Sequence, residues 1–400
     1  MNPKTLFGVL LCLMIASPAL VSAQTIETRG RLSNSTYVYQ DRDTTHVRLY
    51  QYIRFQAISH ELNNLSLNVD ARVLSDLEET LPDEYRYNAF RLSVSATDLF
   101  NNLLDFEIGR QFLHPGVTFG SLDGLNLIFK FSPRVRWQVY GGVQSNLFSG
   151  FKIYKPDEAA VYGSTLKYRN FYDTNIELAY LRQQTKDAVQ WEIAGLNLTN
   201  SSITNIYFTG QFHYDIVNSR LHRVFVSGRY MPAERFSAVL SYKQQFPQIF
   251  GDSYFQIFTF EKYRQAGLNL WYSLTERFGV AVDYHLIMLE EGKGNRIIAS
   301  IMDRNGSLGV VYETGDLGDQ LSLLLNYGYE FMDGLIGSVS VDYTRYRFEE
   351  GYDFENQMGN TARLAYRLSP NWQIDLEYQW LNNKFKDSDH RLLNHIHFIW

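Results

Sequence analysis

The sequence predicts an all-β protein, a transmembrane antiparallel up-and-down β-barrel of about 22 strands, even in number and within about 16 to 22. Three observations carry that prediction. Apolar and polar side chains alternate with a period of two along most of the chain. Aromatic residues make up 15% of the sequence, with 28 Tyr and 27 Phe, a composition that favours strands. After residue 23 no apolar run is long enough for a membrane helix, which needs roughly 20 residues.

The chain opens with Lys4, an apolar run from Leu6 to Ala16, a breaking Pro18, and Val21-Ser22-Ala23 before Gln24. That layout is a cleavable export leader over 1–23, with a barrel domain over 24–400. Cys12 lies within the apolar run behind Leu11, away from a lipid-anchoring position, and it is the only cysteine. Removing 23 residues from 400 leaves 377 with no cysteine, so an exported product is held by backbone pairing and packing alone. Loss of Lys4 leaves 36 basic against 43 acidic residues, a balance of −7. A mild acidic excess without Lys/Arg clusters argues against a nucleic-acid partner.

The two-residue rhythm begins within a few residues of Gln24, leaving no room before it for a plug domain. Leu65, Leu67, Val69, Ala71 and Val73 alternate with Ser66, Asn68, Asp70 and Arg72. Val135, Trp137 and Val139 oppose Arg136, Gln138 and Tyr140, and Phe278, Val280, Val282 and Tyr284 oppose Gly279, Ala281, Asp283 and His285. The pattern continues in Leu321, Leu323, Leu325, Tyr327 and Tyr329, and in Trp372, Ile374, Leu376, Tyr378 and Trp380 against Gln373, Asp375, Glu377 and Gln379. Each is a strand with one apolar and one wet face.

Short links are expected at 61–64, 100–102, 132–134, 231–234, 274–276, 305–306, 332–334 and 369–371. Longer ones are expected at 76–83, 113–121, 148–158, 290–295 and 348–357. Alternating short and long hairpins are what a barrel with two unlike rims produces. A soluble sandwich would need fewer aromatics at strand ends and more turn glycines, and no 40- to 50-residue self-similarity marks propeller blades. Tyr366, Trp372, Tyr378 and Trp380 read as an interfacial girdle.

The last strand ends the chain on Trp400, with Leu392, Ile396 and Phe398 on the same face and Asn394 interrupting the apolar ladder. The mature chain resembles Gram-negative outer-membrane β-barrels of the porin type. Leu392, Ile396, Phe398 and Trp400 resemble the signature such barrels present to their assembly machinery. Ile108-Gly109-Arg110-Gln111 with Asp123-Gly124 is similar to segments of alginate-export-like porins. The resemblance implies an outer-membrane location, lipid and the barrel-assembly machinery as partners, and passive diffusion of small hydrophilic solutes.

The polar face supplies the candidate lumen: Arg48, Arg54, Asp70, Arg72, Asp105, Glu107, Arg136, Glu177, Lys243, Asp283, Asp342, Arg363, Arg367, Asp375 and Glu377. Both signs are present in similar number, which predicts a permissive pore, since strong selectivity takes a ladder of one sign. Asp70 and Arg72 are candidates for mutual neutralisation. Arg110 breaks the alternation after Gly109 and reads as a bulge aiming its guanidinium at the lumen or rim. Arg110 and His114, beside the link 113–121, and Phe250, Phe255 and Phe258, in the apolar link 246–260, are candidate constriction residues. His395 and His397 sit two apart, a spacing that fits a metal pair, but lumen lining is the better reading. No catalytic constellation and no cofactor is predicted. About 22 strands is a size at which barrels often hold a plug, so a scaffold or export channel around a partner protein is the alternative, ahead of a barrel enzyme or adhesin.

Overall fold

The computed structural model describes residues 26–41, 44–82, 86–113, 116–117, 120–146, 152–247, 262–290, 292–348 and 351–400. Residues 1–25, which include the expected export leader, lie outside the described residues, as do His114 and the segment 248–261 with Phe250, Phe255 and Phe258.

Twenty-two strands follow one another: β1 (Ile26–Asp41), β2 (Thr44–Ser59), β3 (Leu65–Asp76), β4 (Tyr87–Asp98), β5 (Leu104–Leu113), β6 (Gly120–Lys130), β7 (Val135–Gln144), β8 (Ala160–Phe171), β9 (Thr174–Gln184), β10 (Val189–Asn200) and β11 (Ile206–Asp215). They continue as β12 (Arg220–Ala233), β13 (Phe236–Gln245), β14 (Tyr263–Ser273), β15 (Gly279–Met288), β16 (Lys293–Met302), β17 (Gly306–Gly315), β18 (Asp319–Met332), β19 (Leu335–Arg347), β20 (Glu355–Arg367), β21 (Trp372–Asn383) and β22 (Lys386–Ile399). Each pairs antiparallel with its neighbours in the chain, and β1 pairs with β22, from Arg31 opposite Ile399 to Tyr39 opposite Arg391. The sheet therefore closes on itself and leaves no edge strand.

Closure is completed by the last residue. Gly30 and Trp400 exchange two backbone hydrogen bonds of 3.1 Å, and a Cβ on Gly30 would collide with the Trp400 indole. Phe398 lies 4.8 Å from the Trp372 ring and 5.6 Å from that of Trp400, so the seam ends in an aromatic cluster.

Alternation decides which side chains are exposed. Leu240 is 67% exposed, Leu178 50% and Leu321 50%, while Ser241, Glu177 and Ser322 beside them in the chain lie on the opposite face. Tight turns at the rim that holds both termini use Asn and Asp, whose side chains tolerate positive φ: Asn63, Asn64, Asp98, Asn101, Asn102, Asn170, Asp173 and Asn205 all adopt it. In the β16–β17 turn the amides of Asn305 and Gly306 donate to Asp303 and hold its carboxyl below its ordinary pKa. The opposite rim carries the longer links, including one with a short helix, Pro156–Ala159.

Several expected boundaries move. β12 runs through Met231-Pro232-Ala233, where a turn was expected, with an irregular register between Tyr230 and Ala233. Pro is tolerated in a strand at such a break, where no ladder N–H is required. β15 starts at Gly279, leaving Phe278 in the turn, and β16 starts at Lys293, inside the expected link 290–295. The bulge expected at Arg110 is absent: β5 pairs in continuous register with β6 through Gly109–Gly124 and Arg110–Asp123. The ladder between β4 and β5 is continuous as well, and the break lies one ladder further on, between β3 and β4 at Asp70/Ala71, where Phe90 is the extra residue.

Packing is uneven. One buried apolar cluster joins Leu113, Val117, Leu122, Tyr140, Ala179, Leu181, Trp191 and Ile193, all from β5 to β10 and the β5–β6 link.

Candidate functional site: the polar face of the ring

The polar face is a field of cross-strand pairs, because antiparallel register sets residues on the same face directly opposite one another. On β2 and β3, Arg54 Nη2 donates to Asp70 at 2.9 Å and Arg48 Nε to Asp76 at 3.1 Å. Asp70 thus pairs across the ladder with Arg54 and not along its strand with Arg72. The Arg72 guanidinium instead lies 6.0 Å from the Tyr50 ring centre and 5.6 Å from that of Phe90. Glu107 accepts from Arg91 at 2.7 Å and from Ser93 at 2.6 Å, and Asp105 accepts from Lys130 at 2.6 Å.

Further round, Glu177 accepts from Lys167 at 2.7 Å and from Asn197 at 3.0 Å. Lys243 lies 5.7 Å from the Tyr263 ring centre, Asp283 accepts from Asn269, and Asp342 accepts from Thr344 at 3.0 Å. Arg363 Nη2 lies 3.2 Å from Asp375, and Glu377, directly opposite Arg363, accepts from Gln379 at 2.6 Å. Arg136 stands in register with Lys130 and Lys167, three cations side by side, while Arg367 sits at the end of β20 opposite Gln373. The fifteen positions therefore do not converge on one centre.

Sequence reasoning missed the partners that complete this field: Asp76, Arg91, Lys130, Lys167, Arg296 and Glu313, the last two joined at 2.7 Å. Their alternation was visible, but which residue faces which across a ladder depends on register. His395 and His397 stack with ring centres 6.1 Å apart and bond to Ser35 at 2.7 Å and Ser33 at 2.9 Å, and His397 Nε2 lies 3.5 Å from Asp375. Hydroxyl partners on β1 thus take the Nδ1 atom of each ring.

Arg110 is the most enclosed cation of the candidate set, only 6% exposed. It forms a two-point pair with Asp123 at 2.7 and 2.8 Å and donates to the carbonyls of Ala89 and Lys152, each at 3.0 Å. That is a clamp joining β4, β5, β6 and the β7–β8 link.

The link between β5 and β6 crosses to the polar face of β9 and β10. Asn197 Nδ2 donates to the Gly116 carbonyl at 3.0 Å. Gly116, at φ 79°, lies so close that a Cβ would collide with the Glu177 carboxylate, and a Cβ on Gly195 would collide with Val117. A short link reaches across four strands only along the chord of the ring, so this contact is on its concave side.

No family model matches the chain, and no curated protein matches it. Among solved structures it is similar to Acinetobacter baumannii OccAB2, at 11% identity and TM-score 0.47 over 94% of this chain and 98% of that one. Pseudomonas aeruginosa OpdL aligns at 12% identity and TM-score 0.46 over 94% and 98%, and P. aeruginosa OccK2 (OpdF), solved in complex with glucuronate, at 10% and 0.45 over 94% and 97%. The chain's own ladders establish its architecture: a closed, antiparallel, 22-stranded β-barrel.

Proposed function

We propose that this barrel is an outer-membrane pore for small hydrophilic solutes, with the apolar face against lipid and the mixed-charge polar face lining a wet lumen. The observation that carries the reading is the closed ring with ion pairs on one face and exposed Leu, Ile, Val, Tyr and Phe on the other. Hydrocarbon tolerates only closed barrels or helices, and a face of ion pairs needs water or protein beside it. Lumen charges of both signs, many of them paired across ladders, give weak selectivity. The reading includes cleavage of 1–23 on export and recognition of Leu392, Ile396, Phe398 and Trp400 by the assembly machinery, and it assigns no catalysis.

Reconstitution of the purified chain in planar bilayers tests it, with discrete conductance steps and a cation-to-anion permeability ratio near unity expected. Absence of steps from folded, heat-modifiable protein rejects it. Arg110 belongs to the wall in this reading, and the link through Gly116 and Val117 narrows the lumen by thickening one side. A second narrowing from 248–258 is tested by deletion, since unchanged conductance rejects a constriction there.

A ring of this size without a plug among the described residues favours one second reading, a sheath around a partner protein. Very large or unstable conductance of the chain alone, quenched by a co-purified protein, would select it.

A further inference from the structure

On the apolar face at the closure seam, three amide side chains interrupt the hydrocarbon-facing surface. Asn34 on β1 stands opposite Gln51 on β2, and Thr36 on β1 stands opposite Asn394 on β22. All four share the face of Leu32, Val38, Ile53, Leu392 and Ile396, while Ser33, Ser35, His395 and His397 take the other. Asn34 is exposed, and among the described residues the side-chain amides of Asn34, Gln51 and Asn394 make no hydrogen bond.

Their height makes this notable. Trp372 and Trp380 on β21 mark the two aromatic levels and, eight positions apart, are separated by about 27 Å along the strand. Asn394 is in register with Leu376, midway between them. The amides therefore sit near the middle of the apolar band, where no water reaches and an unpaired amide is costly. Elsewhere on this face the corresponding surface is apolar, as at Leu323 and Leu325 on β18, or satisfied, as at Ser164 on β8, which accepts from Trp137 Nε1 at 2.7 Å.

We infer that the seam formed by β22, β1 and β2 docks a second copy of this chain through Asn34, Gln51 and Asn394. The inference rests on the reading of the apolar face as lipid-facing. An amide carries both donors and an acceptor, so a patch of amides is complementary to itself. A two-fold dimer places the same patch on both partners. The two-fold axis runs along the membrane normal beside Asn34, and the flanking Leu32, Val38, Ile53 and Ile396 pack around the amide centre. A basic or acidic partner finds no counter-charge here, and lipid chains offer no hydrogen-bonding group.

The test uses the full chain, whose only cysteine, Cys12, lies in the export leader. Asn34→Cys in native outer membranes is expected to yield, on oxidation, a species of twice the monomer mass. Leu240→Cys, on β13 at the far side of the ring, is expected to stay monomeric. In lipid nanodiscs the wild type is expected to be dimeric, and Asn34→Leu/Gln51→Leu/Asn394→Leu to shift to monomer while keeping heat-modifiable mobility and unchanged unit conductance. No Asn34→Cys cross-link, a cross-link to a protein of different mass, or a dimer that survives the triple substitution would overturn the inference. Should the triple variant not fold, the cysteine pair decides alone. A protein that conducts in bilayers yet remains monomeric sinks the docking inference and spares the pore; one that never inserts sinks the pore itself.

Discussion

The wall from β5 to β10 and the wall from β17 to β21 are built from the same alternating pattern, yet only the first has a core. In the first, Ile193 is wholly buried and Leu181 is 2% exposed, because the β5–β6 link folds over them and brings Leu113 and Val117 into contact. In the second, Leu323 and Leu325 face outward and the inner positions carry Ser322, Asp342, Thr361 and Arg363, with no apolar cluster among the described residues. A barrel wall one sheet thick acquires a hydrophobic interior only where chain is laid on its concave side. The ring is accordingly lopsided, thickened by overlying chain on one flank and one sheet thick on the other.

Five substitutions would break or sharpen this contrast. Arg110→Ala is expected to have the largest effect, about 3–5 kcal/mol, because it leaves the buried Asp123 carboxylate without its partner. The readout is the urea midpoint of the refolded barrel in micelles. Ile193→Ala should cost about 2–4 kcal/mol in the same assay through the cavity it leaves. Leu323→Ala on the open wall should cost on the order of 1 kcal/mol, since lipid or detergent refills the space. Equal losses at Ile193 and Leu323 would erase the distinction between the flanks.

Gly116→Val should lower single-channel conductance and also cost stability, because φ 79° strains a β-branched residue and a displaced link uncovers the core at Val117. The added side chain has no room against Glu177 and pushes the link off the wall into the lumen. An unchanged or larger conductance would show that the link does not border the permeation path. Arg54→Ala is expected to be smallest, below about 1 kcal/mol, because its guanidinium is 76% exposed and its pair with Asp70 is screened by water. Its effect should appear as a modest shift towards cation permeability in reversal-potential measurements.

Much of this molecule was legible in its residue order. The alternation at Leu65–Val73 and Trp372–Trp380 announces strands with two unlike faces, and the turn residues around Asn63, Asn101 and Pro370 punctuate them closely enough to count the ring. The boundary at Pro232 was not legible, because a proline marks a turn or a ladder irregularity equally well from sequence. Arg110 was misread for a related reason. A charged residue out of phase signals a bulge, but here it marks an enclosed ion pair whose partner, Asp123, lies on the next strand. Asn394 was visible as an interruption, yet its meaning awaited Asn34 and Gln51, brought beside it from the other end of the chain.

Period-two patterning and aromatic content, both local properties, sufficed to establish strand identity, the division into apolar and polar faces, and the total charge each face carries. Partnership across ladders, the clamp at Arg110, the core beneath Val117 and the amide patch at the seam belong to the closed ring alone. They depend on register and on contacts between residues as far apart as Gly30 and Trp400. A two-residue repeat states which way a side chain points, but a shift of register by two preserves every facing and changes every neighbour. Only closure selects among those alternatives.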